Sequence, residues 1–247
     1  MLNHILLGII QGLTEFLPVS SSGHLVISQR ILGMQGEEIA ISVILHLGTT
    51  CALIIFFFKE ILKTLRSIRL ITFIAVTTLI TGTIGILGKD FFESIFSSPK
   101  LVALALFISG LVLISTRRYI NSTKREMLDI QDAATLGIAQ SIAIIPGISR
   151  SGITISWLLY RKVDKETCFK FSFLASIPVI IGAVILEAKK VDFALQGGFT
   201  NFSAGFLASL LSGLFALWVL KLVLDKSKLH YFGYYCVVVA AITLLFI

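Results

Sequence analysis

Two short segments carry polar and charged side chains within otherwise apolar sequence. The first, QGLTEFLPVSSSGH (11–24), contains a carboxylate at Glu15, three consecutive serines and His24. The second, PGISRSG (146–152), contains Arg150 between two serines. A serine is a nucleophile when a neighbouring group accepts its proton, and a carboxylate can act as that base or hold a divalent cation. Because arginine offsets charge on a transferring phosphoryl group, these residue types together predict cleavage of a phosphoric anhydride.

The composition places both segments in a membrane protein. Apolar residues make up 56% of the 247 positions, charged residues make up 14%, and the mean hydropathy is +0.94. Soluble domains carry about 25% charged residues, so this chain lacks the polar side chains needed to cover a surface in water. The net charge of +7 comes from basic residues spread over the loops, which argues against a nucleic-acid-binding stripe. Polar and ionisable residues at membrane depth are costly and mark functional sites.

Long apolar runs predict an all-α integral membrane protein with six transmembrane helices, because about 17–25 apolar residues span a bilayer. We place the spans at approximately 39–58, 71–88, 101–116, 168–187, 202–223 and 230–247. Two further apolar segments, 5–32 and 134–160, are each interrupted by a proline and polar residues. Each of these predicts two short helices around a polar turn, which is a re-entrant helical hairpin.

The two interrupted segments belong to an internal repeat. A shift of 129 residues brings polar and glycine positions of the first segment onto identical residues of the second: Gly8, Gln11, Ser20, Ser22 and Gly23 onto Gly137, Gln140, Ser149, Ser151 and Gly152. The same shift carries the first three predicted spans onto the last three. The chain is therefore expected to be a single membrane domain, 1–247, built from repeats at approximately 1–118 and 130–247. A cleaved signal peptide would not be copied in the middle of the chain, and the first segment also lacks a basic start.

The number of spans in each repeat predicts that the two repeats are inverted in the membrane. Three spans reverse the direction of the chain, provided that each hairpin returns to its own side. With the amino terminus outside, the inner segments carry fifteen of the 21 lysines and arginines, and the outer segments carry five. This bias agrees with the positive-inside rule, so we expect both termini outside.

The two hairpins are expected to meet near the midplane. Irregular backbone at membrane depth needs protein or a water-filled cavity around it, and inverted-repeat proteins place their sites at such a meeting point. The polar residues that would converge there are Gln11, Glu15, Ser20, Ser21, Ser22 and His24 from the first hairpin and Gln140, Ser149, Arg150, Ser151 and Thr154 from the second. Two helix amino termini, several hydroxyls and an arginine predict a phosphate site.

Simpler roles for individual residues stay open. Glu15 and Arg150 can be a buried ion pair that fixes the two halves, and His24 can be a helix histidine with satisfied hydrogen bonds. Each serine of 20–22 can serve only as a helix cap. His46 lies in the middle of a predicted span, where it predicts a polar contact between helices or a position in the cavity wall.

The two motifs resemble the signature of the bacterial undecaprenyl pyrophosphate phosphatases, the undecaprenyl-diphosphatases of the bacitracin-resistance type. QGLTEFLPVSSSGH (11–24) and PGISRSG (146–152) carry the resemblance, and the repeat and span number agree over essentially the whole chain. The resemblance implies hydrolysis of undecaprenyl pyrophosphate to undecaprenyl phosphate and inorganic phosphate at the outer face of the bacterial plasma membrane. This reaction recycles the lipid carrier for peptidoglycan synthesis. A lipid flippase or secondary transporter on the same scaffold is the alternative, although it would not need a serine beside His24.

The resemblance also implies roles for individual residues. Glu15 matches the essential carboxylate, Ser21 the nucleophile, His24 the proton-transfer group and Arg150 the phosphate-binding arginine, whereas attack by water stays an open alternative to Ser21. Phosphate binding by hydroxyl and amide groups is expected at Ser20, Ser22, Ser149, Ser151, Thr154 and Gln140.

The resemblance further implies a divalent cation, Mg²⁺ or Ca²⁺, at Glu15 and Gln11. Gln11 stands where many family members carry glutamate, so a pair of carboxylates is not available for the cation in this chain. The implied partners are the polyprenyl substrate, for which bacitracin competes, and membrane lipids. The sequence does not distinguish a monomer from a homodimer.

Overall fold

The computed structural model describes residues 1–32, 38–96, 98–122, 125–189 and 198–246, and within them regular structure is helical. The helices, in chain order, are α1 (Leu2–Phe16), α2 (Ser21–Ile31), α3 (Glu38–Phe56), α4 (Phe58–Leu65), α5 (Ile68–Leu87), α6 (Lys89–Phe96), α7 (Pro99–Ser115), α8 (Ile130–Ile142), α9 (Arg150–Tyr160), α10 (Lys165–Ala188), α11 (Phe199–Asp225) and α12 (His230–Phe246), with a 3₁₀ turn at Thr116–Arg118. The prediction of an all-α chain is confirmed.

Five of the described helices are long and apolar enough to cross a membrane. The qualifying segments are Ile39–Phe56, Ile68–Leu87, Lys100–Arg118, Lys165–Ala188 and Thr200–Asp225, and they coincide with five of the predicted spans. The sixth prediction, 230–247, falls on α12, whose 17 residues form a shorter apolar helix. The chain is therefore a multi-pass membrane protein.

The first interrupted segment breaks between α1 and α2. Leu17 leaves the helix with an extended backbone (φ −64°, ψ 142°) because the proline that follows disfavours the helical conformation. Ser20 then has a positive φ of 68°, which turns the chain before α2 begins at Ser21. Glu15, near the end of α1, and Ser21, at the start of α2, are consequently brought close together by a tight turn.

The second interrupted segment breaks between α8 and α9. Gly147 has a φ of +94°, and a Cβ atom at this position would lie 2.2 Å from the carbonyl oxygen of Val102, so only glycine fits. Ser149 then caps α9 by accepting a hydrogen bond from the Gly152 amide, at 3.2 Å. The cap leaves Arg150 in the first turn of α9.

The helices of the two sequence repeats pack against each other. α1 packs on α11, and its repeat equivalent α8 packs on α5; α3 contacts α10, and α7 contacts α12. Gly8 makes the first approach close, since a Cβ atom there would lie 2.5 Å from the carbonyl oxygen of Gly205. Similar hydrogen bonds hold both pairs: Ser212 donates to the Gly8 carbonyl at 3.3 Å, and Thr81 donates to the Gly137 carbonyl at 3.1 Å.

Candidate functional site

A cavity of about 260 Å³ lies where the two chain breaks face each other. Its polar wall contains residues from both breaks and from the helices packed around them: Thr14, Glu15, Ser20, Ser21, Ser22, His46, Thr81, Gln140, Ser149, Arg150, Ser176 and Glu187. The breaks also approach each other directly, since a Cβ atom at Gly152 would lie 3.3 Å from the Pro18 Cβ. Side chains separated by 135 positions in the sequence thus share one pocket.

Glu15 is the centre of the hydrogen bonds in this cavity. Its Oε1 accepts from the Arg150 Nη2 at 2.5 Å, which joins the two halves of the chain. Its Oε2 accepts from the Ser21 hydroxyl at 2.7 Å and from the Gln11 amide at 3.1 Å. The carboxylate is 7% exposed, so these contacts compensate for most of the water it has lost.

Arg150 has donor capacity that Glu15 does not use. The Nη1 atom is buried and has no hydrogen-bond partner among the described residues. Arg150 is also the first residue of α9, and the amino terminus of a helix favours anions. A buried donor without a partner costs about 1–3 kcal/mol, which an anion in the cavity would recover.

Seven of the residues predicted for the site line the cavity: Glu15, Ser20, Ser21, Ser22, Gln140, Ser149 and Arg150. Gln11 lies behind Glu15, is fully buried and does not itself line the cavity. The first hairpin thus supplies a carboxylate and three hydroxyls, and the second supplies the arginine, an amide and a hydroxyl. Both signs of charge and the serines meet as the sequence predicted.

His24 lies outside this group. Its Nδ1 is 2.8 Å from the carbonyl oxygen of Ser20, and its Nε2 is 2.8 Å from the Tyr235 hydroxyl on α12. A carbonyl only accepts, so Nδ1 donates and the ring holds the positive-φ turn that precedes Ser21. The structure therefore brings His24 to Tyr235 and the Ser20 carbonyl, and it does not bring the ring to Glu15.

Ser151 and Thr154 are also buried away from the cavity. The Ser151 hydroxyl lies 3.3 Å from that of Ser149, and the Thr154 hydroxyl lies 2.5 Å from that of Ser172 on α10. Thr154 also donates to the Arg150 carbonyl at 2.7 Å. The two hydroxyls thus contact the first turn of α9 and, through Ser172, α10. These contacts hold the turn that carries Arg150.

The sequence offered two positions for His46, a polar contact between helices or the cavity wall, and the structure places it in the cavity wall. Its Nε2 lies 3.8 Å from the Glu15 Oε2, and its Nδ1 lies 2.8 Å from the Ser42 carbonyl one turn earlier in α3. Thr81, a lining residue that the sequence did not predict, accepts a hydrogen bond from the Gln140 amide at 3.3 Å. The available signal was a histidine and a threonine in the middle of apolar spans, where a polar group needs a partner.

The rest of the cavity wall is apolar. It consists of Ala143, Ile144 and Ile148 around the second break and Val179, Ile180, Ala183 and Val184 on α10. A wall of this kind accepts a hydrocarbon chain, whereas the polar wall accepts a charged headgroup. The cavity therefore suits a lipid that ends in phosphate.

The donor set fits a divalent cation that takes most of its ligands from a substrate. No cluster of three or more His, Cys, Asp and Glu residues occurs in the described part of the chain. Glu15 supplies one carboxylate, and the Gln11 Oε1 is a buried oxygen without a hydrogen-bond partner in that part. Magnesium is commonly bound through one or two carboxylates plus substrate phosphates, so this partial set is sufficient.

Comparisons with known proteins give one matching family and relatives that share one enzyme name. The family model described as bacitracin resistance protein BacA matches residues 4–242. The undecaprenyl-diphosphatase of Alkaliphilus metalliredigens (strain QYMF) is 42% identical, over 98% of this chain and 97% of the relative. That of Thermotoga petrophila is 43% identical over 98% of both chains, and undecaprenyl-diphosphatase 1 of Shouchella clausii is 34% identical over 100% of this chain and 96% of the relative.

Proposed function

The chain belongs to the bacitracin resistance protein BacA family, and we propose that the cavity around Glu15 and Arg150 is its active site. The protein is an undecaprenyl-diphosphatase: it hydrolyses undecaprenyl diphosphate to undecaprenyl phosphate and inorganic phosphate, and so recycles the lipid carrier used in peptidoglycan synthesis. Bacitracin, for which the family is named, competes for the same substrate. The observation that carries the assignment of the site is the Arg150 Nη1, which has no partner among the described residues and lies on the guanidinium that contacts the Ser21–Glu15 pair.

The hydrogen bonds support Ser21 as nucleophile and Glu15 as its base. The Ser21 hydroxyl donates to the Glu15 Oε2 at 2.7 Å, so its proton passes to the carboxylate as Oγ attacks the terminal phosphorus. The anhydride P–O bond breaks, undecaprenyl phosphate leaves, and water then hydrolyses the phosphoserine to release phosphate. Arg150 stabilises the negative charge on the transferring phosphoryl group. The proton-transfer role that the motif implies for His24 stays part of the proposal, and its hydrogen bond to the Ser20 carbonyl also holds the Ser20 turn.

Glu15 and Gln11 would hold the divalent cation, Mg²⁺ or Ca²⁺. When bound, it offsets charge on the diphosphate oxygens. The remaining phosphate contacts are assigned to Ser20, Ser22, Ser149 and Gln140 in the cavity wall, with Ser151 and Thr154 supporting the first turn of α9.

Phosphate release from undecaprenyl diphosphate by the detergent-purified protein tests the activity. We expect release that depends on a divalent cation and that is lost in Ser21→Ala, and we expect a phosphorylated Ser21 when the reaction is quenched rapidly. Unreduced turnover in Ser21→Ala would exclude the serine route in favour of water attack. Lipid translocation by the wild type without any phosphate release would favour the flippase alternative.

The finer architecture is six spans and two re-entrant hairpins, arranged as an inverted repeat of residues 1–118 and 130–247. The exchanged packing, in which α1 lies on α11 and α8 lies on α5, supports two equivalent halves. The charge bias of the loops supports inversion, with both termini outside the plasma membrane.

The active site is assigned to the outer face. The cavity wall reaches Glu187, two residues before Lys189 in the outer loop that this topology requires. A cysteine introduced at Lys189 should react with an impermeant thiol reagent on intact cells, and one at Arg125 should not. Labelling of both positions from outside would exclude the inverted topology.

A further inference from the structure

His46 is the imidazole that faces the reactive carboxylate. We propose that His46 is a nitrogen ligand of the divalent cation and binds it together with the Glu15 Oε2. This inference deepens the proposed function and rests on it, because the ion is the one that serves the diphosphatase reaction. The assignments from the sequence motifs place the cation on Glu15 and Gln11 alone.

The hydrogen bond on the far side of the ring orients His46 for this task. The Ser42 carbonyl lies 2.8 Å from the Nδ1 and can only accept, so Nδ1 carries the proton. In the neutral ring the lone pair is then on Nε2, the atom that faces Glu15. Histidines that bind metals usually donate their other N–H to a carbonyl or carboxylate in this way.

The separation of the two donor atoms suits one shared ion. The His46 Nε2 and the Glu15 Oε2 are 3.8 Å apart, which is too long for a hydrogen bond. Donors that each lie about 2.0–2.2 Å from the same ion are separated by at most about 4.4 Å. A cation can therefore bind both atoms without a large movement of either helix.

Arg150, the cation paired with Glu15, contacts the other carboxylate oxygen. Arg150 is bound to the Glu15 Oε1, so its charge lies on the opposite oxygen of the carboxylate. Ser21 and Gln11 donate to Oε2, and both can turn an oxygen towards an ion on that side. For Gln11 this rotation would use the Oε1 that has no partner among the described residues. Diphosphate oxygens and water would complete the coordination.

An imidazole ligand predicts a particular choice of metal. Carboxylate and carbonyl oxygens suit Mg²⁺, Ca²⁺ and Mn²⁺, whereas imidazole favours the first-row transition metals. A site with one carboxylate, one amide oxygen and one imidazole should therefore bind Mn²⁺ more tightly than Ca²⁺. Substitution of His46 by an oxygen ligand should reduce that preference.

Pulsed electron paramagnetic resonance of bound Mn²⁺ tests the ligand itself. The sample is the full chain in detergent with Mn²⁺ and methylenediphosphonate, a diphosphate analogue that is not hydrolysed. We expect ¹⁴N modulation of the spin echo in the wild type, and we expect its loss in His46→Gln with Mn²⁺ binding weakened roughly 10–100-fold. His46→Asp should restore binding without the nitrogen signal.

Two matched variants keep the test specific. His24→Gln removes an imidazole that lies next to the serines, and Glu187→Gln removes a carboxylate that lines the same cavity. Both should retain the ¹⁴N modulation. Wild-type protein grown with ¹⁵N-histidine should convert the ¹⁴N modulation to ¹⁵N, which identifies a histidine ligand without any substitution that could impair folding.

The failure of this inference is separable from failure of the proposed function. Bound Mn²⁺ without ¹⁴N modulation in the wild type, or modulation that persists in His46→Gln, overturns His46 as a ligand. If the same preparation releases phosphate from undecaprenyl diphosphate, the proposed function stands without it. A preparation that releases none under any divalent cation counts against the function instead.

Discussion

Glu15 and Asp132 are both buried carboxylates that are bound by arginine, but their surroundings differ. Asp132 accepts from the Arg125 Nη2 and the Arg161 Nε, each at 2.7 Å, through Oδ1, and from the Asp129 amide at 2.9 Å through Oδ2. Both oxygens of Asp132 thus accept hydrogen bonds from the chain, and its side chain is 0% exposed. Beside Glu15 there is a cavity, and the Arg150 Nη1 has no partner among the described residues.

The difference separates a structural ion pair from one that can bind a ligand. Around Asp132, the arginines connect the loop before α8 to the end of α9, and a reciprocal cap with Asp129 begins α8. Around Glu15, one donor, the Arg150 Nη1, has no partner among the described residues, and the Ser21 hydroxyl and a cavity lie beside the carboxylate. Burial and an arginine partner are common to both places, so neither property alone identifies an active site.

The largest decrease in the rate of phosphate release should follow removal of the Glu15 charge. Glu15→Gln takes away the acceptor of the Ser21 proton, so phosphate release should fall by about 10²–10⁴-fold. Rates on undecaprenyl diphosphate in detergent measure this, with the matched Glu187→Gln as a comparison for a cavity carboxylate that has no hydrogen bond to Ser21. A rate for Glu15→Gln within a few-fold of the wild type would make Glu15 as structural as Asp132.

Removal of Arg150 should reduce the rate somewhat less. Arg150→Ala loses a charge-stabilising donor, and we expect a decrease of about 10²–10³-fold in phosphate release. The loss of thermal stability should be smaller than for Asp132→Ala, since the cavity gives Glu15 access to water. Arg150→Lys, which keeps the charge but not the planar fork, should fall between the two rates. If Arg150→Ala unfolds the protein and the rate of the folded fraction is unchanged, the Glu15–Arg150 pair is structural, like the pairs of Asp132.

Substitution of Asp132 should reduce the stability of the protein far more than its rate of phosphate release. Asp132→Ala leaves Arg125 and Arg161 without their shared acceptor, which should lower the free energy of unfolding by about 3–5 kcal/mol. Thermal unfolding in detergent measures the loss. At a temperature where the variant is folded, its phosphate release per molecule should stay within a few-fold of the wild type. A rate loss as large as that of Glu15→Gln would contradict a structural role.

The smallest effect is expected at Asp129. Hydrogen bonding from the Asp132 amide and the neighbouring Arg125 guanidinium lower the pKa of the Asp129 carboxyl. Its charge therefore stabilises the fold at neutral pH, and this contribution is lost as the pH falls through the lowered pKa of the folded state. Asp129→Asn keeps the cap and loses only the charge, so unfolding should be easier by about 1 kcal/mol or less at pH 7. The difference from the wild type should disappear in acid; a constant difference at all pH values would assign it to the cap.

The fold was largely predictable because apolar run length determines membrane helices directly. The predicted span 71–88 lies within a residue or so of α5 at its end, and Pro18 places the first break where α1 ends. α12 is the exception: a span was predicted at 230–247, and the described helix has 17 residues and counts as a shorter apolar helix. The two chain breaks were predictable because proline restricts the backbone before it and glycine permits the positive φ that a turn needs.

The site was predictable in its members but not in its contacts. Glu15, Ser21 and Arg150 come together as expected, whereas the histidine near Glu15 is His46 rather than the motif residue His24. The direction of a side chain on α2 depends on which helix packs beside it, and the contact of His24 with Tyr235 joins positions 211 residues apart. No local pattern contains that information.

By itself, the sequence determined the solvent of this protein, the approximate lengths of its helices and the residue types available for phosphate chemistry, because composition and spacing act locally along the chain. The tertiary structure alone decided which buried ion pair borders a cavity and which is enclosed by the chain. Both carboxylates accept three hydrogen bonds, so the distinction depends on what surrounds them: the packing of distant helices leaves a cavity beside Glu15 and an Arg150 Nη1 without a partner among the described residues.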